Sequence, residues 1–311
     1  MSQPVSNEEG QNVATGGAAE AAGAKQEVWS IRRVLTWAAD DLRRRGNETA
    51  RLDVELLLGR VLGLDRIGLI LQAERPLAAR ELATFRELFK RRRSGEPVAY
   101  LLGEREFYGH ALRVDARVLI PRPDSERLVE VALERTRARN MLGAALDLCT
   151  GSGCIAIALA RQRPTWSVTA SDISGDALAV ATENAHRTGA IRNLRLVQGS
   201  LFAAVVGQRF DLITANPPYI ASAELAELPL DVRDFEPRLA LDGGADGLDL
   251  VREIATQAPA HLTTGGLLAL EIGADQGPRA LEILRSHGYL APELARDLGG
   301  RDRVVSGYAP G

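Results

Sequence analysis

Ala145-Leu146-Asp147-Leu148-Cys149-Thr150-Gly151-Ser152-Gly153 decides the fold. Its first five residues read as a buried strand. The glycines then make a tight turn into an apolar helix expected over 155–163. The alternation recurs downstream. Strands are expected at 167–171, 194–197, 210–215 and 266–272, with a helix over 175–188. Strands that alternate with helices give a mostly parallel sheet covered on both faces, an α/β Rossmann-like fold. Tyr289-Leu290 and Val304-Val305 suggest a closing hairpin.

Upstream the pattern is helical. Ile31, Val34, Leu35, Ala38 and Leu42 share one helix face, and Gly46 stands where a C-terminal cap belongs. Val54, Leu57, Leu58, Val61 and Leu62 repeat the pattern up to Gly63, and Leu82, Phe85, Leu88 and Phe89 give another face. Residues 27–96 therefore read as a small N-terminal helical bundle, suited to substrate recognition because it carries no nucleotide loop. Residues 1–26 are rich in Gly, Ala, Ser, Gln and Glu without periodicity and read as a disordered tail. Residues 97–124 form a connector with strand content, punctuated by Tyr108-Gly109 and Pro121-Arg122-Pro123. Arg122 should lie near the active mouth. Residues 125–311 form the α/β domain, whose first helix is expected to be capped by Asp124 or Ser125.

A net charge of −3 leaves no electrostatic footprint for nucleic acid. The basic runs Arg43-Arg44-Arg45 and Lys90-Arg91-Arg92-Arg93 read as solvated helix ends that complement the dipole. Two cysteines, Cys149 and Cys154, make no disulfide framework, and a reducing, cytoplasmic setting is expected. His110, His186, His261 and His287 have no metal-ligand spacing, so no metal is expected. No apolar run is long enough for a membrane span, and no signal pattern opens the chain.

Three strand ends carry the chemistry. At the second, Asp172 can accept from the two hydroxyls of a ribose. At the fourth stands Asn216-Pro217-Pro218-Tyr219. The prolines forbid continuation of strand or helix and stiffen the backbone. Loop carbonyls and the Asn216 side-chain oxygen can then converge on a planar –NH2 group, with Tyr219 as a flat face. At the first strand end the turn has Gly151-x-Gly153, with Ala156 where a dinucleotide motif would place its third glycine.

This combination resembles the class I S-adenosylmethionine-dependent methyltransferases. Asn216-Pro217-Pro218-Tyr219-Ile220 is shared by DNA adenine methyltransferases and protein glutamine methyltransferases. Leu119-Ile120-Pro121-Arg122-Pro123-Asp124-Ser125-Glu126, Asp231-Val232-Arg233-Asp234-Phe235-Glu236-Pro237, Leu270-Glu271-Ile272-Gly273 and the helical stretch at 50–57 resemble the peptide chain release factor glutamine methyltransferase family. The resemblance runs from about residue 28 onward. It implies methylation of the side-chain amide of the glutamine in the Gly-Gly-Gln motif of class I release factors, using S-adenosyl-L-methionine. It also implies cofactor contacts from Asp147, Cys149, Thr150, Gly151, Ser152, Gly153, Asp172, Leu201 and Asn216. Asn216, Pro217, Pro218 and Tyr219 would hold the glutamine, and Asn216, Pro217 and Tyr219 would act in catalysis. No direct contact with nucleic acid or membrane is expected.

Two positions depart from the family's pattern. Ser200-Leu201-Phe202 stands where an acidic residue usually precedes the apolar pair, and Cys149 replaces a more usual glycine. Three other readings stay open: a glutamine methyltransferase acting on a ribosomal protein, an adenine-specific DNA methyltransferase, and a binding module without catalysis. Glu271 and Asp211 remain unplaced.

Overall fold

The computed structural model describes residues 28–139 and 141–310; the expected tail at 1–26 lies outside them. The described chain opens with helices α1 (Ile31–Arg44), α2 (Ala50–Leu62), α3 (Arg66–Leu71), α4 (Ala79–Arg93) and α5 (Val98–Leu102). The expected apolar faces close one core, in which Ile31, Val34, Leu35, Val54, Leu57, Phe85 and Phe89 are buried together. Gly63 ends α2 in the left-handed conformation that only glycine adopts without strain. Both basic runs fall in last helical turns. One of them is not simply solvated. Arg92 pairs with buried Asp53 of α2 at 2.7 Å and donates to the Gly95 and Glu96 carbonyls. Its guanidinium thus joins two helices, a role that charge patterning alone does not reveal.

The connector holds a hairpin, β1 (Glu104–Phe107) and β2 (His110–Arg113). Tyr108 and Gly109 both have positive φ, 50° and 78°, as a tight two-residue hairpin turn requires.

The sheet domain begins with α6 (Glu126–Arg135) and continues β3 (Ala144–Leu148), α7 (Cys154–Gln162), β4 (Ser167–Asp172), α8 (Gly175–Thr188) and β5 (Leu194–Gln198). It then runs β6 (Phe210–Ala215), α9 (Leu230–Arg233), α10 (Asp249–His261), β7 (Leu262–Glu271), α11 (Gly277–Ser286), β8 (Leu290–Arg296) and β9 (Asp302–Tyr308). Strand order is β5-β4-β3-β6-β7-β9-β8. The first five are parallel; β9 runs antiparallel to β7, and β8 to β9. The expected closing hairpin is therefore present, with its second strand inserted next to β7.

Strand parity divides the core. Ala145, Val168, Leu212, Leu267 and Ala269 pack with α6 and α7 on one face. Leu146, Leu148, Ile213, Leu268 and Leu270 pack with α10 and α11 on the other. The chain leaves β3 toward β4 and β5, then returns to β6 on the opposite side. A crevice opens at the C-terminal ends of β3 and β6, where such a reversal places ligand sites.

Candidate active site

That crevice is a cavity of about 210 Å³. Cys149, Thr150, Gly151, Ser152, Asp172, Leu201, Asn216 and Pro218 all line it, although they come from three strand ends and the turn after β5. Arg122 lines it too, as the connector's course implies.

The glycine turn is built by hydrogen bonds from below. Thr150 N–H donates to the Ser171 carbonyl at 3.0 Å, and Gly153 N–H to the Thr150 carbonyl at 2.8 Å. Gly151 and Gly153 have φ of 54° and 81°. Cys149 also has positive φ, 53°, which explains why a glycine suits this place and why a cysteine here is strained. Space beside Gly151 is open, whereas a Cβ at Gly153 would press on Ala181 at 3.1 Å. Gly153 therefore serves helix packing and stands off the cavity wall.

Asp147 also lies behind the wall. It is fully buried, and its two oxygens accept from Thr150 Oγ1 at 2.6 Å and Thr214 Oγ1 at 2.8 Å. Burial pushes its carboxyl up to about 7, while the two hydroxyls oppose the shift. It joins the glycine turn to the strand that ends at Asn216. Asp172 faces the cavity, accepting from Gly151 N–H at 2.8 Å and Ser174 N–H at 2.9 Å. Ser174, not Asp172, caps α8 through its own Oγ. Each Asp172 oxygen keeps a lone pair for a further donor. Open space at Gly151, these free lone pairs and the apolar walls of Ile173 and Leu201 suit a nucleoside. Ser200 on the same wall offers a hydroxyl where the family's pattern has an acid.

At the end of β6, Asn216 Nδ2 donates to Ser125 Oγ at 3.2 Å. Ser125 was expected as a helix cap, but no side-chain cap bond forms at the start of α6; its hydroxyl turns to Asn216 instead. Glu271, at the end of β7, sits beside both, and burial pushes it up to about 7, while Ser125 and Asn216 favour its charged form. Asp211 has no part here. It accepts from Ala144 N–H and Thr263 Oγ1 at the other end of the sheet.

Pro217 and Tyr219 are not among the residues on the cavity wall. Burial pushes the Tyr219 phenol up to about 12, and it feels the charges of Glu271 and Arg303. Its carbonyl accepts from Gln276 Nε2 at 2.8 Å, and Ile220 exchanges backbone bonds with Leu241 and Gly243. Beside the cavity, Glu236 joins Arg122 at 2.5 Å and accepts from Ile120 N–H at 3.1 Å. Ser125, Thr214 and Glu236 escaped the sequence reading as site residues. A carboxylate ending an otherwise apolar strand, as in Leu267-Leu268-Ala269-Leu270-Glu271, is the one local signal of this network.

Among the described residues no helix is long and apolar enough to cross a membrane. Two family models match the chain, the PrmC N-terminal domain over residues 33–103 and the methyltransferase small domain over residues 125–228. Among solved structures, a methyltransferase from Pyrococcus furiosus is 22% identical, with a TM-score of 0.50, covering 65% of this chain and 90% of that one. The hMettl16 catalytic domain in complex with MAT2A 3'UTR hairpin 6 is 15% identical, with a TM-score of 0.55, covering 69% and 82%. These two likenesses establish the methyltransferase fold. Curated relatives go further. The release factor glutamine methyltransferase of Geobacter sulfurreducens is 47% identical over 283 residues, 91% of this chain and 98% of that protein. That of Chlorobaculum tepidum is 42% identical over 290 residues, again 91% and 98%. Similarity of this extent, spanning both the helical region and the sheet, means that the chain belongs to the release factor glutamine methyltransferase family.

Proposed function

We propose that the chain methylates the side-chain amide nitrogen of the glutamine in the Gly-Gly-Gln motif of class I peptide chain release factors, with S-adenosyl-L-methionine as methyl donor. One observation carries the assignment of the site: the Asn216 side chain stands on the wall that also carries Asp172 and the glycine turn. Its Nδ2 is committed to Ser125, so Oδ1 is free for a donor in the cavity.

When bound, S-adenosyl-L-methionine supplies an electrophilic methyl group on a sulfonium. Asp172 would hold the ribose hydroxyls, Ile173 and Leu201 the base, and the backbone at Gly151 the remainder. The chain's harder task is to prepare the nucleophile. An amide nitrogen shares its lone pair with its carbonyl and attacks poorly. Asn216 Oδ1 accepts an amide hydrogen, which fixes the nitrogen and stabilises positive charge as it develops there. The proton then leaves to water, and no general base is needed. Tyr219 supports the loop and shapes its mouth, and the helical region at 27–96 grips the release factor.

Purified release factor and Asn216→Ala test this reading. Loss of one oriented polar group at such a site costs about 2–4 kcal/mol, a fall in kcat of roughly 30- to 1,000-fold. Mass spectrometry locates the methyl. A folded variant that keeps activity within a few-fold of wild type, or a methyl found elsewhere than the glutamine, sinks the assignment.

A further inference from the structure

We infer that Glu271, acting with Ser125, sets which end of the Asn216 amide faces the cavity, and is thus a positioning residue for the methyl acceptor. The inference rests on the function proposed above.

The Asn216 amide has nearly the same shape with its oxygen and nitrogen exchanged, so packing alone does not orient it. Its neighbours do. Glu271 and Ser125 are each 1% exposed. Asn216 Nδ2 donates to Ser125 Oγ at 3.2 Å, and the pairing of Ala215 with Leu270 brings Asn216 alongside Glu271, whose charged form both side chains favour. An ionised carboxylate can only accept. It draws the Ser125 O–H and the Asn216 N–H2 toward itself, which leaves Oδ1 on the cavity side. Glu271 Oε2 has no partner among the described residues, a costly arrangement for a buried carboxylate that is otherwise unexplained.

The other groups around Glu271 hold this polarity in place. Arg303 of β9 is 7% exposed and its charge favours the carboxylate. It is tied to Asp124 at 3.3 Å and to Asp297 at 3.2 Å, and it donates to the Ile272 carbonyl. Asp124 opposes ionisation, and the Tyr219 phenol lies within the field of Glu271. If Glu271 takes up a proton it becomes a donor. Asn216 can then turn Oδ1 inward and present N–H2 to the cavity, where donors would meet the donor hydrogens of a glutamine amide. Protonation of Glu271 therefore switches the acceptor off without changing the shape of the site.

Glu271→Gln tests the inference, because glutamine fills the same space but presents either a donor or an acceptor. We expect kcat to fall about 10- to 100-fold, with KM for release factor and Kd for S-adenosyl-L-methionine changed by less than about threefold. Wild-type kcat should lose activity on acidification with a midpoint near 7, and the variant should lose that limb. In an Asn216→Ala background, Glu271→Gln should change kcat by less than about twofold, since its effect passes through Asn216. Ser125→Ala, which keeps the carboxylate, should cost about tenfold and serves if Glu271→Gln does not fold. A readout without substrate completes the set. The side-chain 15N–1H2 resonances of Asn216, identified by their loss in Asn216→Ala, should move with a midpoint near 7 in wild type and stay fixed in Glu271→Gln. Unchanged kcat with an unchanged acid limb, an equal loss in the Asn216→Ala background, or Asn216 resonances indifferent to Glu271 each overturns the inference. Wild-type protein that does not methylate release factor overturns the proposed function instead, and the resonance titration then decides the role of Glu271 alone.

Discussion

Arg122 and Glu236 are 114 residues apart in the chain and meet at 2.5 Å beside the cavity, which Arg122 lines. Glu236 is 5% exposed and also accepts from Ile120 N–H. This carboxylate therefore fastens the segment after the Asn-Pro-Pro-Tyr loop to the connector before the sheet. Glu236→Ala leaves a buried N–H without an acceptor and should lower unfolding free energy by about 1–3 kcal/mol. Glu236→Gln can still accept from Ile120 and should lose less. Urea denaturation compares them, and equal stability of all three proteins would remove the fastening role.

Stability should also depend on pH through Asp147. Its folded carboxyl titrates at about 7 against an ordinary 3.8, because burial penalises the charge. A raised folded pKa means that the native chain holds this proton longer than the unfolded chain does. Its contribution is full below the unfolded pKa and is lost as pH rises through 7. Asp147→Asn cannot ionise. From pH 5 to pH 8 the balance of unfolding free energy should shift toward this variant by on the order of 3 kcal/mol. A constant difference across that range would contradict the burial argument.

Gly247 controls the loop from outside. Its φ is 74°, and a Cβ there would overlap the Tyr219 carbonyl and Gln276 Nε2. Gly247→Ala must displace the backbone at Tyr219, three residues after Asn216. Small displacements of reacting groups can cost about 100-fold. We expect kcat to drop at least about tenfold, with cofactor affinity kept within about threefold, since Asp172 and the glycine turn lie elsewhere. Calorimetry and single-turnover assays separate the two effects, and parallel losses in both would refute the local account.

The sheet was legible where local pattern and tertiary role agree. Phe210 to Ala215 is apolar, bounded and buried, and the strand has those limits. β7 begins at Leu262, four residues before the expected start at Gly266. The glycines at 265 and 266 lie in a bulge, where pairing jumps from Phe210–Leu262 to Leu212–Leu267. At the site, Asp172 and Asn216 announce themselves at strand ends. Ser125 does not, because its partner is 91 residues away and a serine before a helix reads first as a cap. Parity carries more information than that reading used. Leu267, Ala269 and Glu271 share one side of β7, the side that α6 covers, so Glu271 must point toward the start of α6. Pairings such as Arg92 with Asp53 depend on how helices dock, which periodicity does not encode.

The insertion of β9 between β7 and β8 has a consequence for biosynthesis. During translation β7 emerges with one edge paired to β6 and the other open, and β8 cannot cover it. The open edge closes only when residues 302–308 have left the ribosome, pairing Leu267 with Tyr308 and Glu271 with Val304. Until then a long apolar strand exposes unpaired backbone, a state prone to intermolecular pairing. Nascent chains stalled ahead of residue 302 should therefore be ready chaperone clients, and the Arg303 that steadies Glu271 arrives on the same strand that seals the sheet.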